Sequence, residues 1–172
     1  IISFLFICLF IVGGVFFIIN AFLAEEIEQS VIRKIQENLE SPLILDDVEF
    51  TIYDNFPYAS VKIKNLLLLE SNEFKNDTLI FTECAYAEIS LFDIINKVYD
   101  IQSIIITDAK INIKYNDLAI PNFLIFKKNN TTQNPLSINK ITLLNTKLNI
   151  KKESPFLDIE WYLKRSIIAI TN

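Results

Sequence analysis

Apolar and polar residues follow one another along this chain in three successive patterns. From Ile1 to Ala24 there is no charged residue, and the polar side chains Ser3 and Asn20 lie near the ends. At ~1.5 Å per helical residue the segment reaches beyond the ~30 Å hydrocarbon core of a bilayer, and it has no polar face. The pattern predicts a transmembrane helix over residues 1–24. From Glu25 to Ser41 the period is four: Ile27, Val31, Ile35 and Leu39, with Ile32 beside them, make one stripe of an amphipathic helix over residues 25–41. Glu25, Glu26 and Glu28 sit in its first turns, where the helix dipole favours negative charge, and Pro42 ends it. From Leu43 onward the period falls to two.

In that third region, residues 43–172, Val48, Phe50 and Ile52 alternate with Glu49, Thr51 and Tyr53, and Val61 and Ile63 with Ser60, Lys62 and Lys64. Leu79, Phe81, Ala85, Ala87 and Ile89 share one parity. Such alternation marks strands with one apolar and one wet face. The tracts DNFP (54–57), SNEFKND (71–77), NKVYD (96–100) and NNTTQNP (129–135) read as turns and loops. No long helix separates the strands, which predicts an antiparallel sheet, with Phe92 to Val98 as one short helical crossover.

The stretch DIQSIIITDAKINIK (100–114) aligns with SINKITLLNTKLNIK (137–151). In both copies the alternation slips phase: Ile104 and Ile106 take one parity and Ile111 and Ile113 the other, as do Ile141 and Leu143 against Leu148 and Ile150. A slip of one residue turns side chains to the opposite face unless a bulge or bend corrects it, so the repeat predicts two similarly bent strands and a stacked array. Chance similarity in a chain rich in Ile, Lys and Asn is the competing reading.

Composition narrows the chemistry. The chain has 172 residues, room for one domain beyond the anchor, and a net charge of −5, which speaks against nucleic acid as a partner and against a polybasic membrane patch. It has no His, and its two glycines, Gly13 and Gly14, are adjacent, so no phosphate-cradling loop and no GxxxG pairing motif exists. Cys8 and Cys84 are too far apart in kind and place for a disulfide or a thiolate metal site. Asp46-Asp47 with Glu49 lacks the spacing of a calcium loop and reads as a solvated turn. Trp161 shares parity with Ile159 and Leu163, which favours core packing over an aromatic binding spot. No catalytic residue, metal set or cofactor is expected, and an enzyme is not. The segment before Ala24 fits neither a signal-peptidase cut, with Phe22 or Ile19 at −3, nor a lipoprotein signal, with Ile7 before Cys8. No Lys or Arg stands directly after it, in AEEIEQ, which favours the bulk of the chain lying outside the cytoplasm. The chain begins on Ile, contains no Met and ends on the apolar SIIAITN, and is expected to be the front part of a longer protein.

An anchor, an amphipathic helix and then VEFTIYDNFPYASV (48–61) resemble the opening of the AsmA-like family of Gram-negative envelope proteins, the AsmA/TamB/YhdP type. Asn55-Phe56-Pro57 is the closest match; Asp77-Thr78-Leu79, Ser90 to Ile95, Ile101 to Lys114 and Ile120-Pro121-Asn122-Phe123 fall where that family has its strands, short helix, turn and Asn-aromatic pair. The family has Gly before such an Asn, whereas this chain has Leu118-Ala119-Ile120-Pro121. The resemblance implies a single-pass inner-membrane protein whose bulk is a periplasmic elongated β-groove (a β-taco or half-barrel). It would carry phospholipid between the inner and outer membranes.

A groove of that kind would hold acyl chains on Val48, Phe50, Ile52, Val61, Ile63, Leu79, Phe81, Ile89, Ile104, Ile111, Ile113, Ile141, Leu148 and Ile150. The competing arrangement packs the same residues into a dry, closed core, since alternation shows a buried face without naming what buries it. Two functions remain open: a lipid-conducting module with membrane lipids as partner, or a structural adaptor whose sheet packs on inner- or outer-membrane envelope proteins.

Overall fold

The computed structural model describes residues 2–18, 23–52, 58–71, 74, 77–127, 138–152 and 156–170. Helix α1 spans Ile2–Ile18 and is apolar all round. At ~1.5 Å per residue it is about 25 Å long. It is shorter than the expected span of residues 1–24, whose positions 19–22 lie outside the described residues. Among the described residues no helix is long and apolar enough to cross a membrane.

Helix α2, Ala24–Asn38, is the amphipathic helix read from the period of four, with Ile27 and Val31 fully buried on its stripe and Glu25 and Glu26 in its first turn. Seven strands follow: β1 (Leu43–Ile44), β2 (Asp47–Thr51), β3 (Tyr58–Leu69), β4 (Thr78–Ser90), β5 (Ile101–Tyr115), β6 (Lys140–Lys152) and β7 (Leu157–Ala169). A short helix α3, Leu91–Ile95, joins β4 to β5, capped by the Ser90 hydroxyl, which accepts from the Asp93 N–H. The strands form one curved, unclosed sheet in the order β1–β3–β4–β5–β6–β7, with β2 beside β1 on the outer edge of β3. The turns at 54–57 and 129–135, including Asn55-Phe56-Pro57, lie outside the described residues, as does part of 71–77.

The sheet is mixed, not antiparallel throughout: β5 and β6 run parallel. A parallel neighbour needs a long crossover, and residues 116–139 supply it. The cause lies in the repeat. Each residue of the first copy pairs with its equivalent in the second, Ile104 with Ile141, Lys110 with Lys147, Asn112 with Asn149 and Lys114 with Lys151. Like stands beside like, so side-chain amides bridge the strands: Asn149 Nδ2 donates to Asn112 Oδ1 at 2.8 Å and Asn139 Nδ2 to Gln102 Oε1 at 3.0 Å. On the other side of β6, Lys147 meets Glu160 of β7 at 2.8 Å and Lys151 meets Asp158 at 3.7 Å.

The phase slip is a crease that crosses the sheet. Asn65, Asp108 and Asn145 adopt left-handed backbone, with φ of 48°, 51° and 48°. Asn and Asp are the side chains that tolerate this region best. Pairs on either side keep register, Lys64–Cys84 and Leu66–Thr82, Cys84–Thr107 and Thr82–Ala109, Leu144–Arg165 and Thr146–Leu163. In β3, β5 and β6 one left-handed residue reverses which parity faces inward; β4 and β7 follow the same reversal without one, as their pairing on either side of Glu83 and Lys164 shows. Thr82 and Thr146 fill the crease, fully buried, their hydroxyls donating to strand carbonyls at Cys84, Thr107 and Leu144.

Candidate functional site

Directly opposed residues in neighbouring strands share a face, so register defines the two faces. One face carries Val48 and Phe50 of β2, Val61, Ile63, Leu66 and Leu68 of β3, and Ala87 and Ala85 of β4. It continues through Ile104, Ile106, Ala109, Ile111 and Ile113 of β5 to Ile141, Leu143, Thr146, Leu148 and Ile150 of β6. It ends on Ile168, Leu163, Trp161 and Ile159 of β7. The crease keeps this strip continuous from one end of the strands to the other.

The strip is covered on one side only. Ile27 and Val31 of α2 pack into one cluster with Phe50, Ile52, Val61, Ile63, Ile89, Ile94 and Ile101. The helix is tied down by Glu28 Oε1, which accepts from the Phe50 N–H at 2.7 Å, by a Lys34–Asp100 ion pair, and by Tyr99 O–H donating to Glu26 at 3.2 Å. Burial, followed by that carboxylate, pushes the Tyr99 hydroxyl pKa up. A second cluster joins Leu39, Leu68, Leu79 and Ile125. Six of the fourteen residues proposed to line a groove, Phe50, Ile52, Val61, Ile63, Leu79 and Ile89, are therefore sealed core, and Val48 packs half-buried against it.

Past β4 the cover thins. Ile104 still touches the helix-capped cluster and Ala109, Leu143 and Thr146 stay buried, while Ile111, Ile113, Ile141, Leu148 and Ile150 are half-buried. On β7, Trp161 is 53% and Ile168 48% exposed. The open part of the strip is thus carried by β5, β6 and β7. Trp161 does not pack in a core as its parity suggested; it stands on the uncovered end of the apolar face. Phe81 is turned the other way. It pairs with Leu67 and Lys110, on the polar face, because the crease reverses parity between it and Ala85. Leu79 escapes the same fate through the register shift opposite Leu68 and Leu69. The lining residues missing from the fourteen include Ile106 on β5 and Leu143 on β6, and Ile159, Trp161, Leu163 and Ile168 on β7. Their signal was the same parity, within β5 and β6 for the first two and one strand further for the rest.

One end of the strip is closed by a polar pin. Asn122, fully buried, donates from Nδ2 to Glu70 Oε1 at 2.9 Å and to the Asn112 carbonyl at 2.8 Å, and its Oδ1 accepts from the Lys114 N–H at 3.0 Å. It holds the crossover against the ends of β3 and β5, so that Ile125 seats in the second cluster and the Glu40 N–H reaches the Ile125 carbonyl at 2.7 Å. Lys114 Nζ bridges the buried Glu70 and the exposed Asp77, each at 2.8 Å. Burial works to lower the Lys114 pKa, but the two carboxylates outweigh it and hold it above the usual lysine value. Lys114, then the Thr78 N–H, hold the Asp77 carboxyl below its usual range. Two hollows of about 580 and 620 Å³ lie at this end, lined by Lys114, Lys151, Asp77 and Asp158, on the charged side rather than the apolar strip. Among the described residues no group of His, Cys, Asp and Glu is placed to hold a metal ion.

The arrangement defines a class: a curved, open, mixed sheet with one continuous apolar face, half covered by an amphipathic helix. No family model matches the chain, and no characterised protein or solved structure matches it significantly.

Proposed function

We propose that this chain is the membrane-proximal part of an inner-membrane-anchored periplasmic β-groove protein of the AsmA-like kind, which binds acyl chains and helps move phospholipid between the inner and outer membranes. The observation that supports the reading is the part of the apolar strip beyond α2, half-buried at Ile104, Ile111 and Ile113 on β5 and at Leu148 on β6, and exposed at Trp161 and Ile168 on β7. An apolar sheet face left without a covering layer calls for a guest. From Ile104 to Ile113 the strip runs about 30 Å at ~3.3 Å per residue. A bilayer core of ~30 Å holds two acyl chains end to end, so the strip is long enough for one whole chain. Placing such a chain in water costs ~0.8 kcal/mol per methylene, about a dozen kcal/mol for sixteen carbons. Moving it onto isoleucine and leucine exchanges one hydrocarbon surface for another and needs no catalytic group. On this reading the single-pass anchor is the uncharged segment 1–24, of which helix α1, apolar on every side, is the described part.

A structural adaptor role is the second reading, favoured by β7, the outermost strand among the described residues, and by Tyr162, which is exposed on the polar face. Photocrosslinking in living cells separates the two. A benzophenone side chain at Ile111 or Leu148 should capture phospholipid, and one at Ile63, under α2, should not. Capture of one stoichiometric protein and no lipid at Ile111 and Leu148 overturns the transport reading.

A further inference from the structure

The end of the sheet opposite the Asn122 pin carries an apolar projection that neither the core nor the strip uses. Helix α3 and the turn after it expose Phe92 by 73%, Ile95 by 64% and Val98 by 43%, while Ile94, between them, is fully buried in the main cluster. The projection is therefore held rigidly: Ile94 anchors it, the Ser90 cap starts it, and the N–H groups of Asn96, Lys97 and Val98 close it onto the Asp93 and Ile94 carbonyls at 2.8–3.0 Å. Lys97, exposed, turns the chain with a φ of 58°. The acids of this region are engaged elsewhere, Asp100 with Lys34 and Asp93 with the Gln102 amide.

Two observations fix what this projection faces. Leu23 and Ala24, at the start of α2, pack against the same cluster as Ile94 and Tyr99. Five residue steps separate Ile18, the last residue of α1, from Leu23, a reach of at most ~18 Å. The apolar helix α1 thus ends within that distance of Leu23, which packs on the cluster that also holds Ile94. The strand ends beside α3 also carry the row Ile104–Ile141–Ile168, which leaves the helix-capped cluster at Ile104 and is exposed at Ile168.

We propose that Phe92, Ile95 and Val98 form a second membrane contact, a short apolar wedge that enters the surface of the bilayer holding α1 and brings the outer part of this row, Ile141 and Ile168, against the lipid. This rests on the membrane-anchored reading above and adds where the strip meets its lipid. Large apolar side chains on a compact tip, with a lysine beside them for anionic headgroups, suit the interface between headgroups and acyl chains.

The chain has one tryptophan, which makes the test direct. The full-length protein with Trp161→Phe is given a new tryptophan at Phe92, at Ile95, or at Phe126, which is exposed beside the opposite end of the sheet. Each is reconstituted into phosphatidylethanolamine–phosphatidylglycerol vesicles doped with phosphatidylcholine brominated near the top of the acyl chain, with folding checked by circular dichroism. Quenching several-fold stronger at Phe92→Trp and Ile95→Trp than at Phe126→Trp is expected. Equal quenching at all three, quenching only at Phe126→Trp, or failure of the protein to float with the vesicles overturns the proposal. Quenching at the wedge with no lipid crosslink at Ile111 and Leu148 leaves the wedge standing and removes the transport reading alone.

Discussion

Asn122 is the side chain whose loss the geometry makes most costly for its size. Asn122→Ala removes both partners' hydrogen bonds at Glu70 and Asn112 and the acceptor of the Lys114 N–H. An unsatisfied buried group costs about 1–3 kcal/mol, and Glu70 keeps its Lys114 partner, so a loss of roughly 2–5 kcal/mol is expected. Asn122→Asp is the sharper probe. It keeps the shape and the acceptor for Lys114 N–H, but it sets an oxygen where an N–H₂ now lies 2.9 Å from a carboxylate and 2.8 Å from a carbonyl. Lys114 is already shared between Glu70 and Asp77 and is poorly placed to neutralise a third carboxylate. One proton will be shared by the new pair, so its apparent pKa rises in the folded state. A raised folded pKa means that the native state binds more protons than the unfolded chain, so the defect shrinks as pH falls. Urea unfolding of the full chain in detergent micelles, followed by far-ultraviolet circular dichroism at pH 7 and pH 5, measures this. The Asp variant should be less stable than the Ala variant at pH 7 and recover toward it at pH 5. An Asp variant as stable as the parent at pH 7, or a gap independent of pH, would refute the assignment of Asn122 as a buried donor.

Ile27→Ala should destabilise the docked helix by about 2–5 kcal/mol and expose α2 to limited proteolysis before the strands are cut, since the side chain is fully buried in the main cluster. At the crease, Asn145→Gly should be nearly neutral and Asn145→Val should cost about 1–3 kcal/mol by urea unfolding, because a β-branched residue resists a φ of 48°. Equal effects of the two would show that the left-handed backbone is not what Asn145 supplies. Asp77, held below its usual pKa by Lys114, contributes stability that is present above the ordinary carboxylate range and lost as pH falls through the lowered value. Asp77→Asn should flatten the acid limb of the stability curve below about pH 4 and leave the neutral limb unchanged in shape.

Faces were more legible in the sequence than directions. Ile27 and Val31 of the stripe named the buried side of α2 because a helix has only one way to present residues four apart, while Leu39 lies just past the helix end in extended backbone and is buried in the second cluster. The phase slip in the repeat was visible twice and is the crease at Asp108 and Asn145. The same crease runs through β3 and β4, where no repeat advertises it, and extending one parity through Phe81 to Ala85 put Phe81 on the wrong side. Parallel pairing of β5 with β6 was hidden because alternation is the same for a strand read in either direction. The division between sealed and open strip was hidden for a related reason. Val61 and Ile111 look alike along the chain, and only the placement of α2 over β2–β4 distinguishes them.

The parallel match of β5 to β6 has a hazard built into it. A strand that binds its own near-duplicate would bind another such duplicate from a second molecule just as well, and endless stacking of identical segments is how fibrils grow. β7 interrupts that arithmetic: it runs the opposite way and offers Glu160 and Asp158 where a further copy would offer lysines. Strand β7 is thus a break in self-templating as much as a wall of the sheet, and any deletion that removes it hands the next molecule an adhesive edge on β6.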